Sequence, residues 1–411
     1  MLTGSRTLLL LGWLFLPLMT SAQPPDSQCQ ECHGQPQLAK TDSSGGKISL
    51  FIDVESHRQS VHAEIGCTFC HRELARVTQW PHPPEKNPVD CASCHALEGR
   101  ELAQSSHAEL VRSDRPAGPA CVACHGYHGV KASDDPTSRT HRRNINAACL
   151  SCHADQEVHA GSGVIVKAYQ KSVHGRMMQE GQTSVAECVD CHGSHHILPA
   201  DDPDSPVHKP QIPHTCGQCH AQVVEDYRTS IHGQELAKGV TDSPVCTDCH
   251  GEHTIEAPDM ASSRVAPANV PETCGKCHGN VQLTDKYGLS ADRFATYKDS
   301  YHGVANHYGR TLVANCASCH GFHKVLPPSD PASTIHPANL AHTCGRCHPN
   351  AGEKFTEGKM HVAATFENSP GVFIVRQFYY IFIGGLMVIF VAYIVIEQTG
   401  SARRRRERKG R

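Results

Sequence analysis

Residues 187–196 read ECVDCHGSHH, two cysteines and three histidines in ten residues. The cysteines and the first histidine form CxxCH, and all 22 cysteines of the 411-residue chain fall in copies of that motif. The pairs are Cys29 and Cys32, Cys67 and Cys70, Cys91 and Cys94, Cys121 and Cys124, Cys149 and Cys152, Cys188 and Cys191, Cys216 and Cys219, Cys246 and Cys249, Cys274 and Cys277, Cys316 and Cys319, and Cys344 and Cys347. The histidines that follow them are His33, His71, His95, His125, His153, His192, His220, His250, His278, His320 and His348. With 31 histidines in the chain, chance would put one after all eleven pairs with a probability of roughly 10⁻¹².

Three chemistries use CxxC. Zinc closes a tetrahedron on four ligands, so CxxC units would have to combine in twos, and eleven is odd. Disulfides suit an exported chain but give the histidine no task. Covalent haem attachment uses all three residues: each cysteine adds to a vinyl group and the histidine is held beneath the iron as proximal ligand. The expectation is eleven c-type haems.

The chain opens MLTGSRTLLLLGWLFLPLMTSAQ, one positive charge at Arg6, an apolar run from Leu8 to Met19, and small residues ending at Ala22. Residues 1–22 read as a signal peptide, with a short uncleaved anchor as the alternative. Near the other end, Phe378 to Ile396 has no charge and, at about 1.5 Å per residue, spans roughly 28 Å of hydrocarbon. A transmembrane helix is expected over 373–396, with Arg376, Tyr379 and Tyr380 as interfacial anchors. The tail 397–411, ending ARRRRERKGR, places the C-terminus in the cytoplasm and the cysteine-rich region in the periplasm by the positive-inside rule.

The formal charge is −3; without Arg6 and the tail (seven basic, two acidic residues) the remainder carries −9. Haem propionates would add to it. Docking partners are expected to carry basic patches, and nucleic acid is an unsuitable ligand.

Intervals between successive motifs are 38, 24, 30, 28, 39, 28, 30, 28, 42 and 28 residues. The recurring 28 exposes a repeat. After an N-terminal segment (23–66) with a lone motif, region 67–361 holds five doublets, at 67–95, 121–153, 188–220, 246–278 and 316–348. AYQKSVHG, DYRTSIHG and TYKDSYHG each put a histidine fourteen residues before a doublet, at His174, His232 and His302, and His107 keeps that offset. CHGxH then supplies His128, His195, His253 and His323, and a polar linker with Pro or Asp-Pro leads to TCGxCH. Short helices are expected around CxxCH and before SxHG, with little or no β-sheet, since no run alternates as a strand should. Hydrophobic residues are only 39% of the chain, so haem is expected to form the core and the apo chain not to fold.

A strong-field second histidine makes an electron-transfer haem, whereas an open position admits substrate. Distal candidates are His107, His174, His232, His302 and, near the end, His361; one of His57 and His62; then His128, His195, His253, His323 and His82, the last in a first doublet without HGxH. A histidine three residues beyond a proximal ligand stays on that side of the ring, so each CHGxH histidine is expected to serve a different haem. The intervening Gly is expected to let backbone pass close to a macrocycle. His141, His208 and His336 are weaker candidates, and Met177 and Met360 are unnecessary ones.

The SxHG, CxxCHGxH and TCGxCH blocks over about residues 29–361 resemble those of the periplasmic bis-histidine multihaem c-type cytochromes of anaerobic respiratory chains. The resemblance implies a carrier between a quinol-oxidising membrane partner and a terminal reductase or outer-membrane conduit, with His174, His232, His302, His195, His253 and His323 as distal ligands. The transmembrane segment has no histidine between Phe373 and Ile396, so an integral partner would have to oxidise quinol. The competing function is a multihaem reductase of nitrite, hydroxylamine or a sulfur oxyanion with one five-coordinate haem. No CxxCK motif is present.

Overall fold

The computed structural model describes residues 23–42, 45–84, 89–108, 120–153, 162–358 and 360–409. The expected signal peptide lies outside them. The chain forms two compact units, Met1–Lys167 with Met177–His208, and Ala168–Arg176 with Lys209–Arg411.

Short helices carry most of the described structure, and each is fixed by local polar contacts. The SxHG motif is a helix start: Ser230 caps Ile231–Ala237, its Oγ accepting the Gly233 N–H at 3.1 Å and donating to the Tyr227 carbonyl at 2.6 Å. Ser300 caps Tyr301–His307 in the same way. Gly233 is required because a Cβ there would lie 2.2 Å from the Tyr227 carbonyl. Three CxxCH helices are single turns, Cys188–His192, Cys246–His250 and Cys316–His320. They end at Gly193, Gly251 and Gly321, with φ of 78°, 86° and 78° and ψ near 180°, a region essentially closed to other residues. Positive φ is therefore what the Gly of CHGxH supplies here.

The linkers are built loops. Ser138, Ser205, Ser263 and Ser333 are buried, each donating its hydroxyl to the carbonyl seven residues back. Asn144, Asn269 and Asn339 each tie two carbonyls of the same loop. Successive repeats are then joined by one recurring backbone bond, from the residue before an SxH histidine to the residue two past a CHGxH histidine. It runs from Val61 to Val130 (2.9 Å) and Ser106 to Ile197 (2.7 Å) in the first unit. Val173 to Ile255 (2.7 Å) and Ile231 to Val325 (2.8 Å) are its copies in the second.

Among the described residues only nine hydrophobic side chains are buried, against seventeen polar ones, so protein side chains alone make no continuous apolar core. The one sheet among the described residues pairs Ala39–Thr41 with Lys47–Ser49, three exposed residues per strand, too short to leave an alternating signature. The helix Pro370–Lys409 contains a 33-residue segment, Pro370–Ala402, long and apolar enough to cross a bilayer, with its uncharged part at Phe378–Ile396.

Replacing Gly251 by Ala forces an L residue into a glycine-only region, and replacing Ser230 by Ala removes a buried cap. Costs of about 1–3 kcal/mol and about 1–2 kcal/mol respectively are expected. Both should lower the thermal midpoint followed in the haem Soret band, Gly251→Ala by at least as much as Ser230→Ala.

Candidate haem sites

The histidines meet two by two, one ring from a CxxCH motif and one from elsewhere. Five upstream histidines face the second motif of their own doublet: His62 with His95 and His107 with His153 (both 6.1 Å between ring centres), His174 with His220 (6.2 Å), His232 with His278 (6.3 Å) and His302 with His348 (6.0 Å). Three CHGxH histidines face the first motif of the doublet before: His128 with His71, His195 with His125 and His323 with His250, all 6.1 Å. At the ends, His82 faces His33 (6.0 Å) and His361 faces His320 (6.3 Å). His192 and His253, one in each unit, are both engaged as well, outside these ten pairs.

The spacing stays between 6.0 and 6.3 Å while the angle between ring planes runs from 23° to 68°. Two contacts of these histidines with other aromatic rings are closer, 5.2 Å for His348 with Phe355 and 5.6 Å for Trp80 with His82. The sequence neighbours Tyr301 with His302 and Phe322 with His323 lie at 6.3 and 6.0 Å, so it is the recurrence of the histidine pairing that distinguishes the set. Two opposed imidazole nitrogens bonded at about 2.0 Å to one metal hold ring centres roughly 6.2 Å apart. The pairs thus fit an iron between them. Among the described residues no three His, Cys, Asp or Glu converge as a zinc site needs.

Several rings commit Nδ1 to the protein, leaving Nε2 for the metal. His33 Nδ1 is 2.8 Å from the Leu50 carbonyl and His82 Nδ1 2.8 Å from that of Pro83. His361 Nδ1 is 3.3 Å from Thr296 Oγ1. Burial, then the facing imidazole, lowers the pKa of His174 and His302, and that of His232 to about 4, which keeps the rings neutral as ligation requires. Burial likewise raises the Cys67 thiol to about 12 and Cys249 to about 11.

His57, the alternative to His62, lies outside the pairs; its Nδ1 is 3.3 Å from the His128 carbonyl. The signal that separates them was present: Ser60 stands two residues before His62, is buried, and accepts its backbone N–H at 3.1 Å, as Ser105 does for His107. His141 and His336 accept backbone N–H groups in local turns, and His208 Nδ1 is 3.0 Å from the Ala200 carbonyl.

Attachment points follow one another in sequence order. In the first unit Cys29 touches Cys67, Cys91 touches Cys121 and Cys149 touches Cys188, while Cys70 feels Cys94 and Cys124 feels Cys149. In the second, Cys216 touches Cys246 and Cys274 touches Cys316, with Cys249 close to Cys274 and Cys319 to Cys344.

Residues 207–358 match the NapC/NirT cytochrome c family, N-terminal region. That segment is a domain of this multihaem cytochrome c family. The chain is 24% identical over 78% of its length to the high-molecular-weight cytochrome c of Nitratidesulfovibrio vulgaris, covering 56% of that protein. It is 27% identical to the multiheme cytochrome MtrA of Shewanella baltica, over 47% of this chain and 53% of the relative. It is also 27% identical to the cytochrome c-type protein NrfB of Escherichia coli, over 27% and 55%. The chain therefore spans about half the length of the curated relatives it matches. No solved structure matches it.

The turn in ECVDCHGSHH is held from outside. Asp190 accepts the Glu187 N–H at 2.7 Å and both Arg142 N–H groups at 3.1 and 2.8 Å, and Arg142 also donates to the Thr183 and Val185 carbonyls. Burial pushes the Asp190 carboxyl up, but the Arg142 bonds and the Glu187 N–H outweigh it and hold the pKa below its usual value. A depressed carboxylate contributes stability that is present at neutral pH and lost as pH falls below about 4. Asp190→Asn should therefore lower the thermal midpoint at pH 7 and narrow the gap to wild type as the pH approaches 3.

Proposed function

We propose that this is a membrane-anchored periplasmic electron carrier with eleven c-type haems, each bound through the CxxCH cysteines and ligated by two histidines. The observation that carries the reading is the uniform 6.0 to 6.3 Å spacing of ten ring pairs, each joining a CxxCH histidine to a second histidine. Bound haem c supplies a one-electron ferric/ferrous couple. The residues do the rest: cysteines tether, paired imidazoles occupy both axial positions and so exclude substrate, and adjacent thiols keep neighbouring sites close. His253 completes the distal set of His62, His82, His107, His128, His174, His195, His232, His302, His323 and His361.

The apolar helix anchors the chain with its C-terminus in the cytoplasm. Arg376 near its start is 3.6 Å from Asp299, and Asp299 ends the helix Asp292–Asp299 that leads into His302. This contact supports a reading in which the last two attachment sites lie at the membrane end of the second unit. Electrons pass between an integral quinone-linked partner there and periplasmic redox proteins with basic patches.

Pyridine haemochrome and iron analyses should each give eleven per chain, and the oxidised protein should show only low-spin ferric EPR signals. A stoichiometric high-spin signal with turnover of nitrite, hydroxylamine or a sulfur oxyanion would replace this reading with the reductase. His62→Gln should create one high-spin haem, whereas His57→Gln should leave every haem low-spin.

A further inference from the structure

The two sources of second histidine differ in ring orientation. His82 on His33, His128 on His71, His195 on His125 and His323 on His250 hold their planes 23° to 28° apart. The five SxH pairs open to between 42° and 68°, and His361 on His320 stands at 41°. The ranges do not overlap. Their backbone origins differ as well. CHGxH histidines follow a glycine at positive φ in non-helical chain, whereas SxH histidines such as His232 and His302 sit in the first turn of a serine-capped helix.

An axial imidazole donates π density into the iron d orbital that lies perpendicular to its ring. Two parallel rings act on one orbital and split it from its partner. As the rings cross they act increasingly on both and bring them toward degeneracy, reached at right angles, which enlarges the g anisotropy of the ferric ion and stabilises it less. The angle is therefore a lever on the metal that is separate from ligand identity.

We propose that the CHGxH and SxH motifs set the ligand-plane angle of the haems they close, and that this angle divides ten of the haems into two electronic classes, with His82 joining the first group and His361 the second by angle alone. The near-parallel class comprises the haems at Cys29, Cys67, Cys121 and Cys246. The crossed class comprises those at Cys91, Cys149, Cys216, Cys274, Cys316 and Cys344. With surroundings equal, the crossed class has the higher potential, so from Cys67 to Cys149 the two kinds alternate along the first unit. This rests on the bis-histidine ligation proposed above.

The test is low-temperature EPR of the full-length holoprotein during stepwise dithionite reduction, which also frees single haems from spin coupling to oxidised neighbours. Two low-spin families are expected, one rhombic and one with large g maximum, the second disappearing at higher potential. The largest g maxima should belong to the haems at Cys91 and Cys149, whose planes cross at 68° and 62°. His232→Met should subtract one component from the large-g family, and His323→Met one from the rhombic family. A single rhombic family throughout, or the two variants subtracting from the same family, overturns the proposal. A high-spin wild-type signal would instead overturn the ligation reading beneath it, and the wild-type spectrum decides even where a variant does not mature.

Discussion

A histidine three residues beyond a proximal ligand cannot reach the far face of that ligand's own ring, and the rest of the fold follows from this. His128, His195 and His323 each reach back to the proximal histidine of the preceding doublet's first motif. The SxH histidines close the second motif within their own doublet. The doublets at 67–95, 121–153 and 246–278 thus complete one histidine pair internally and take the partner for the other from the CHGxH of the following doublet. The recurring backbone bond, as from Ile231 to the Val325 carbonyl, joins the same two repeats that share the histidine. Such nearest-neighbour dependence is the energetics of a repeat array, with stability carried largely at the joints.

What the protein contributes between joints is polar. Serines cap the SxH helices, serines and asparagines stitch the linkers, and glycines turn the chain after CxxCH. Each buried hydroxyl is worth roughly 1 kcal/mol net and costs more if left unpaired. These bonds specify geometry rather than drive collapse. The driving burial has to come from the apolar faces of the attached porphyrins, as the low hydrophobic content implies.

Much of this was legible in the chain. CxxCH, the doublets and both histidine offsets are periodic, and the inability of CHGxH to close its own site is a matter of covalent reach. Which neighbour receives the histidine was not legible, because it depends on how repeats stack. The choice of His62 over His57 was readable through Ser60, but the first doublet's offset of five residues, in place of fourteen, hid the match. The linkers looked like unstructured polar connectors because a loop held by Ser263 and Asn269 has no hydrophobic period to betray it. The glycine of CHGxH had a visible motif whose reason, positive φ, is a backbone property invisible in composition.

A doublet whose first motif pairs outside itself takes a histidine from further along the chain, and the way the doublet at 316–348 obtains one bears on the apolar helix. No sixth doublet follows Cys344, so His361 is brought to His320 from outside the repeats, nine residues before Pro370 opens the long helix. The helix Asp292–Asp299 holds that arrangement from three sides: Thr296 lies beside His361 Nδ1, Arg293 reaches the His361 carbonyl, and Asp299 faces Arg376. The same helix runs into Ser300, whose cap positions His302 over His348. One eight-residue helix therefore fixes the second histidines of the last two sites and their link to the apolar segment. The end of the array and the start of the apolar helix are a single piece of structure, so neither can shift without moving His302 and His361 off their paired histidines.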